Sequence, residues 1–518
     1  MLLPEQPTSG PLPSTSPGMS KVLLFNPRVG NHLRILPNAI LSIAASIEGL
    51  VEYVVVDGNQ ETDALRVILN YLDSNEFGFF ACTVMPGPQL KQAIPFTKLI
   101  RKKYPAIKII WGGYFASNHH RTVIHSRLVD VVVHGPGDKA FPALLSAFQH
   151  GHPLDGIENL VFIDSGKMVK TKKATLPDQD TLPPLPYEKL DSFYPLDRFL
   201  GKTFLGTKTI AYHSSMGCPF TCSFCGVVPI FEARWKAKSA PLIYKDIIFL
   251  KERFGGNALQ FHDNNFFVSE KRATEFARLI TPAKLKWWAE GRIDTMDQFS
   301  DESLRILADS GCTMIFFGAE SGNDALLHQM DKGGTQSGQK IKSFAARIRK
   351  IGIIPEYSFV LGLPGETEEK VWSQINQEIR FIKEIKSINP LTEIIIYIYT
   401  PVPTEGSALF ESASGRGFSF PSTLEEWSQP KWLTFDQHRE YLTPWLTPAM
   451  IKHIHNFETV IQAQYPSISD FKLSRIQRRT MKFLSWVRYR LNLFAYPLEL
   501  KALLKYWLRY RQPEIEGL

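Results

Sequence analysis

A chain of 518 residues is too long for one ordinary hydrophobic core, and two or three domains are expected. Its 44% apolar content, 34 Gly and 35 Pro are normal for a globular protein, and no apolar run reaches the roughly 20 residues that span a bilayer. The net charge of +8 is concentrated, because residues 472–511 carry eleven Lys/Arg and one acid, Glu499. The rest of the chain is close to neutral, so the basic balance belongs to a tail and no nucleic-acid partner is expected.

Residues 1–20 are rich in Pro, Ser and Gly and lack the basic start and continuous apolar core of a secretion signal. A disordered leader is expected there. Few cysteines and no export signal point to the reducing cytoplasm.

From residue 21 short apolar strands alternate with helical patterns. Strands are expected at 21–25, 52–56, 78–83, 108–111 and 129–133, with helices at 38–50, 63–74 and 89–104 between them. This alternation predicts an α/β domain over residues 21–160, a doubly wound parallel sheet with helices on both faces. Ligands of such sheets bind at the carboxyl ends of strands, where loops need small residues. Thr83-Val-Met-Pro-Gly and Gly112-Gly113 are such loops. His119 and His120 lie on a polar stretch and are expected at the surface.

Residues 161–206 are interrupted by prolines and read as a linker. Over 207–410 strand–helix units resume, with strands at 209–214, 258–262, 284–290, 313–317, 355–361 and 393–399. Helices are expected at 241–254, 271–279, 300–310, 336–351 and 368–384. Six such units predict a partial barrel with its chemistry at the carboxyl ends of the strands. The first strand leads into Cys218-Pro-Phe-Thr-Cys222-Ser-Phe-Cys225, three of only five cysteines. Three thiolates so spaced can hold three irons of a 4Fe–4S cluster and leave the fourth iron open to a small molecule. A zinc site completed by one of 13 histidines, or three chance core cysteines, are the competing readings. Cys82 and Cys312 read as buried hydrophobes.

The C-x3-C-x2-C spacing, with Phe224 before the last cysteine, resembles the signature of the radical S-adenosylmethionine (radical SAM) superfamily. Asp263-Asn-Asn-Phe, Arg292, Gly318-Ala-Glu320-Ser-Gly322, Lys332-Gly333 and Gly362-Leu-Pro-Gly365 follow in the order of that family's motifs. The resemblance implies that Cys218, Cys222 and Cys225 bind the cluster and that SAM chelates the open iron. It also implies that Phe224 places the adenine, Asp263 the methionine amine, Arg292 the carboxylate and Glu320 the ribose. Thr83-Val-Met85 followed by Gly112-Gly113, then Gly135-Pro-Gly-Asp138, resembles the cobalamin-binding domain that precedes many radical SAM cores. Gly-Pro-Gly-Asp departs from that family's Gly-Glu-Gly-Glu. The Asp-x-His-x-x-Gly motif is missing, and His32 lacks its flanks. Cobalamin is therefore expected without a protein His as lower ligand; a flavodoxin-like domain without cofactor is the alternative. The resemblance covers residues 21 to 410.

The implied chemistry is reductive cleavage of SAM and hydrogen abstraction from an unactivated carbon, followed by C-methylation. An oxidative cyclase without methyl transfer is the alternative, and a non-enzymatic metal-binding or interaction protein is a third reading. A methylthiotransferase would carry a further cysteine set in the N-terminal domain, where only Cys82 lies. The implied partners are a small, lipophilic substrate and an electron donor such as flavodoxin or ferredoxin. Residues 411–518 are expected to be mainly helical and rich in aromatic and basic residues, with Trp427, Trp432, Phe435, Tyr441 and Trp445 capping the barrel. A helix over 497–511 is amphipathic: Leu500, Leu503, Leu504, Trp507 and Leu508 share one side and Lys501, Lys505 and Arg509 the other. It either packs on the protein's own core or is a candidate for peripheral contact with the inner membrane.

Overall fold

A computed structural model describes residues 20–30, 34–332, 335–433, 442–467 and 473–507. The expected leader, His32, Gly333, Phe435, Tyr441, Leu508 and Arg509 lie outside them.

The first sheet has strands β1 (Lys21–Asn26), β2 (Tyr53–Asp57), β3 (Phe77–Thr83), β4 (Lys108–Gly112), β5 (Val131–Val133), β6 (Leu160–Asp164) and β7 (Lys167–Lys170), in the order β2-β1-β3-β4-β5-β6-β7. Pairing is parallel from β2 through β5. A central parallel strand is covered on both faces, which is why β1 reads as an unbroken apolar run. Its side chains alternate between two cores. Leu23 and Phe25 join Phe80 and Trp111 on one face; Val22 and Leu24 join Ala81 and Ile110 on the other. The second core continues without a break into the helices of the next domain.

One expectation needs correction. The stretch read as the start of a linker forms β6 and β7, which pair antiparallel with β5 and with each other. The sheet is therefore parallel only up to β5, and Asp164-Ser-Gly166 turns the final hairpin.

The second sheet contains β8 (Thr209–Tyr212), then β11 (Ala258–Phe261), β12 (Lys286–Gly291), β13 (Cys312–Glu320), β14 (Ile354–Leu361) and β15 (Glu393–Ile398), parallel throughout in the order β15-β14-β13-β12-β11-β8. A separate ribbon, β9 (Ser215–Gly217) and β10 (Trp235–Ala237), interrupts the series after β8. The six-stranded sheet is open, with β8 and β15 at its edges, as a partial barrel requires. Four of its helices start on a hydroxyl cap: Ser269, Ser300, Ser337 and Thr367 each accept from the backbone N–H three residues on. Such a cap contributes about 1 kcal/mol. Inside the barrel, Ala258, Trp288 and Met314 with Phe316 close the amino end of the lumen.

The C-terminal region is helical but does more than cap the barrel. Trp427 and Trp432 pack on the first sheet's outer core, whereas Trp445 donates to the Gly362 carbonyl (2.9 Å) at the barrel rim. The expected amphipathic tail helix spans Leu498–Trp507, and its apolar side faces inward: Leu500 and Leu504 are buried in the main core. No described helix is long and apolar enough to cross a membrane.

Burial has a consequence for pH. His134, at the end of β5, is 2% exposed. Burial first, and the charge of Lys170 next, bring its pKa from 6.5 to about 3. The folded state thus keeps a neutral ring, while the unfolded chain gains a proton as pH falls below 6.5. The stability this gives is full above pH 6.5 and is lost as pH falls toward 3. Chemical denaturation at pH 7 and pH 5 is expected to show a loss of about 2 kcal/mol from this residue, and His134→Asn is expected to flatten the dependence.

Candidate active site

The cysteine loop is closed by the β9–β10 ribbon. Gly217 pairs with Trp235 and Ser215 with Ala237, so residues 218–234 form one loop between two paired strands. Gly217 has φ +77°, and a Cβ there would lie 2.1 Å from the Arg234 carbonyl oxygen. Only glycine permits that closure. Within the loop, Cys225 N–H donates to the Cys222 carbonyl (3.1 Å) and Val228 N–H to that of Cys225 (3.2 Å). Ser223, between two cysteines, is fixed from outside: its N–H and Oγ donate to the Met330 and Gln329 carbonyls, and its own carbonyl accepts from Thr404.

All three cysteines are free thiols. Burial raises Cys218 and takes Cys225 up to about 12, helped by the neighbouring Cys222. A positive partner is needed to make them thiolates, and a metal centre supplies one. Arg292 Nη1 donates to Cys222 Sγ at 3.1 Å, and its guanidinium lies 3.8 Å from the Phe220 ring centre. Among the described residues no three His, Cys, Asp or Glu side chains converge on one metal-ion position. Three thiols presented by one short loop can each ligate a separate iron of a cubane. The loop fits an iron–sulfur cluster.

The residues expected to meet SAM are gathered at the strand ends, each with a protein partner. Asp263, wholly buried, accepts from the Ser214 N–H (3.1 Å), the Ser214 Oγ and the Ser215 Oγ. It anchors the start of the ribbon, and Arg272 donates to the same Ser214. Arg292 meets a carboxylate, but that of Asp294, at 3.0 and 2.6 Å. Glu320 pairs with Lys332 (2.8 Å) and accepts from Ser358 (3.3 Å). Its φ of +64° is strained backbone for a non-glycine residue. Phe224 lies beside this pair, with Lys332 Nζ 5.6 Å from its ring centre.

Several site residues were not singled out by sequence reasoning, although Asn265 lies within the Asp263-Asn-Asn-Phe stretch. Asn265 is fully buried, and neither end of its amide has a partner in the protein. Buried amides are ordinarily bonded, so Asn265 suits a ligand better than Asp263 does. In the barrel lumen, His213 is open to solvent, with the ring of His262 6.0 Å away and Trp288 6.0 Å beyond that. Trp288 Nε1 donates to Glu356 (3.0 Å), and His262 Nε2 has no partner. Crowding by the protein around the lumen lowers both histidines, His262 to about 3, which favours uncharged rings.

At the first sheet, Thr83 and Gly113 meet. A Cβ on Gly113, at φ +87°, would lie 2.8 Å from Thr83 Oγ1 and 2.9 Å from Val84 N. The glycine thus serves a loop-to-loop contact, reinforced by Val84 N–H to the Gly112 carbonyl (2.9 Å) and Phe115 N–H to that of Val84 (2.8 Å). Gly112 is roomier, its nearest neighbour 3.8 Å from a Cβ, and Gly135 N–H donates to Ser117 Oγ (3.1 Å). The ends of β3, β4 and β5 so form one small-residue rim, which fits the approach of a flat ligand. His119 and His120 depart from their expected surface position. Both are half-buried, and His119 packs against Trp427 (4.6 Å) and Phe420 (4.9 Å) because the C-terminal segment folds over it.

The rim and the cysteine loop touch. Asn118 donates to the Gly226 carbonyl (3.0 Å), and Tyr114 packs against Gly226 so closely that it leaves no room for a Cβ.

Residues 212–376 match the family model of the radical SAM superfamily, and this stretch is a radical SAM domain. An uncharacterized methyltransferase of Pyrococcus horikoshii is 26% identical over 387 residues, 73% of this chain and 78% of that protein. The anaerobic magnesium-protoporphyrin IX monomethyl ester cyclase of Synechocystis is 23% identical over 46% of this chain, which spans 47% of that enzyme's length. Two solved structures share the fold across both domains. The radical SAM methyltransferase TsrM of Kitasatospora setae gives a TM-score of 0.64 at 17% identity, covering 93% of this chain and 99% of its own. The cobalamin-dependent radical enzyme OxsB gives 0.68 at 14%, covering 95% and 75%.

Gly217→Val is expected to lose most of the iron bound after anaerobic reconstitution while far-ultraviolet dichroism stays unchanged. Gly156→Ala, with nothing within 4 Å of the added methyl, is expected to keep it.

Proposed function

We propose that the protein is a cobalamin-dependent radical SAM enzyme that methylates an unactivated carbon of a small, partly apolar molecule. The supporting observation is the contact of Tyr114 and Asn118 with Gly226, which sets the small-residue rim of the first sheet against the cysteine loop of the barrel. A radical-generating centre and a methyl carrier would then share one chamber. When bound, the cluster with SAM would supply one-electron cleavage of a carbon–sulfur bond, and cobalamin would supply the methyl carrier.

The chain's own residues hold and orient. Cys218, Cys222 and Cys225 are the cluster ligands, and Arg292 holds the Cys222 Sγ in place through its 3.1 Å contact. Asn265, Phe224 and the Glu320–Lys332 pair line the place for SAM. His213, His262 and Trp288 present a neutral, aromatic wall to the substrate in the lumen. That wall excludes water from a reactive carbon and fixes its position, the largest lever a protein has on such a reaction. A reduced flavodoxin or ferredoxin would deliver the electron.

The likeness to an anaerobic cyclase supports a second reading, radical oxidation without methyl transfer. Anaerobic incubation with dithionite and methyl-labelled SAM separates the two. 5′-Deoxyadenosine together with S-adenosylhomocysteine is expected; deoxyadenosine alone would favour the cyclase, and neither product would refute both. With a substrate in hand, His213→Ala is expected to lower product formation at least ~10-fold. Cleavage of SAM without product should persist, because His213 touches no group assigned to SAM.

A further inference from the structure

The exposed apolar surface of this protein is gathered in one place. Of fourteen large apolar side chains exposed among the described residues, ten fall between Ile476 and Tyr506. Their centre is the helix Arg475–Leu491. At 100° per residue Ile476, Phe483 and Val487 lie within a narrow sector, with Trp486 and Leu491 on its flanks. Phe483 is 80% exposed, Ile476 77% and Trp486 52%. The opposite side is anchored to the protein: Met481 and Ser485 are fully buried, Ser485 Oγ donates to Gln464 (3.0 Å), and Arg488 pairs with Glu499. The helix therefore cannot roll to hide its apolar side.

Arg479 and Arg490 fall in the same outward sector and Lys482 at its edge, and the helix contains no acid. The guanidinium of Arg490 lies 5.8 Å from the Trp486 ring. An occupant of this face must be apolar and negatively charged together. A second copy of the chain would bring Arg479, Lys482 and Arg490 against their own counterparts, and like charges repel. A nucleic acid would leave Ile476 and Val487 wet. An anionic lipid surface satisfies both requirements: acyl chains receive the apolar sector and phosphate headgroups its basic members.

We propose that the outward face of Arg475–Leu491 docks the protein on an anionic membrane surface, with the helix lying in the interface plane. The tail helix Leu498–Trp507 takes no part through Leu500 and Leu504, which are buried; it braces the docking helix from behind.

The test is co-sedimentation of the full chain with sucrose-loaded vesicles of phosphatidylcholine, with or without about 30% phosphatidylglycerol. The wild-type protein is expected to pellet with the anionic vesicles, not with neutral ones, and to be released by salt. Phe483→Ser/Trp486→Ser and Arg479→Glu/Arg490→Glu are each expected to cut the bound fraction at least ~10-fold. Their thermal melts should stay unchanged, because all four side chains lie on the outward sector. Failure of the wild type to pellet with anionic vesicles would overturn the proposal, and so would equal binding by both variants. Light scattering that shows a dimer, dissociated by Phe483→Ser/Trp486→Ser without any vesicle binding, would assign the face to a second copy instead.

Discussion

The backbone closure at Gly217 is the constraint on which the site depends. A strand entering the barrel mouth must reverse through a loop that carries three cysteines and still return in register. The β9–β10 ribbon achieves this only because Gly217 brings its backbone against the Arg234 carbonyl. Asp263 holds the ribbon's first residues, Arg272 holds Ser214, and Ser223 is tied to the chain beyond β13. The three thiols are thereby presented by a frame that is set before any ligand arrives, which lowers the ordering cost of binding one.

Around that frame the charges are already matched. Arg292 with Asp294 and Lys332 with Glu320 are buried pairs at two neighbouring strand ends. Buried charges are costly unless paired and further bonded, and here Thr335 and Ser358 supply the additional bonds. These pairs fix the geometry of the mouth, and they also mean that a polar ligand entering it meets groups already engaged. Among the described residues, the amide of Asn265, His262 Nε2 and Gln336 Oε1 are buried at this end of the barrel without a protein partner.

Much of the architecture was legible in the sequence because parallel strands buried on both faces leave continuous apolar runs, and four helices of the barrel start at Ser or Thr. What escaped has physical reasons. Strand β7, Lys-Met-Val-Lys, is a partly solvated edge with no such run, and the prolines after it drew the linker boundary too early. Strands β9 and β10 are three residues each, too short to show a period. The cysteine loop was visible as a motif, but the partners of Asp263, Arg292 and Glu320 come from residues distant in sequence or in unexpected roles. Helical periodicity revealed one amphipathic tail helix, over 497–511, without telling where its apolar side faces, and the helix Arg475–Leu491 escaped. Leu500 and Leu504 turned inward, while Phe483 and Ile476 turned to solvent.

The central claim is that this loop carries an iron–sulfur cubane with one iron left for SAM. Iron and sulfide analysis of anaerobically reconstituted protein, followed by paramagnetic resonance of the reduced form with and without SAM, tests it most directly. About four iron and four sulfide per chain are expected, with a signal that SAM perturbs. Bound zinc in place of iron, or a signal indifferent to SAM, would contradict the account.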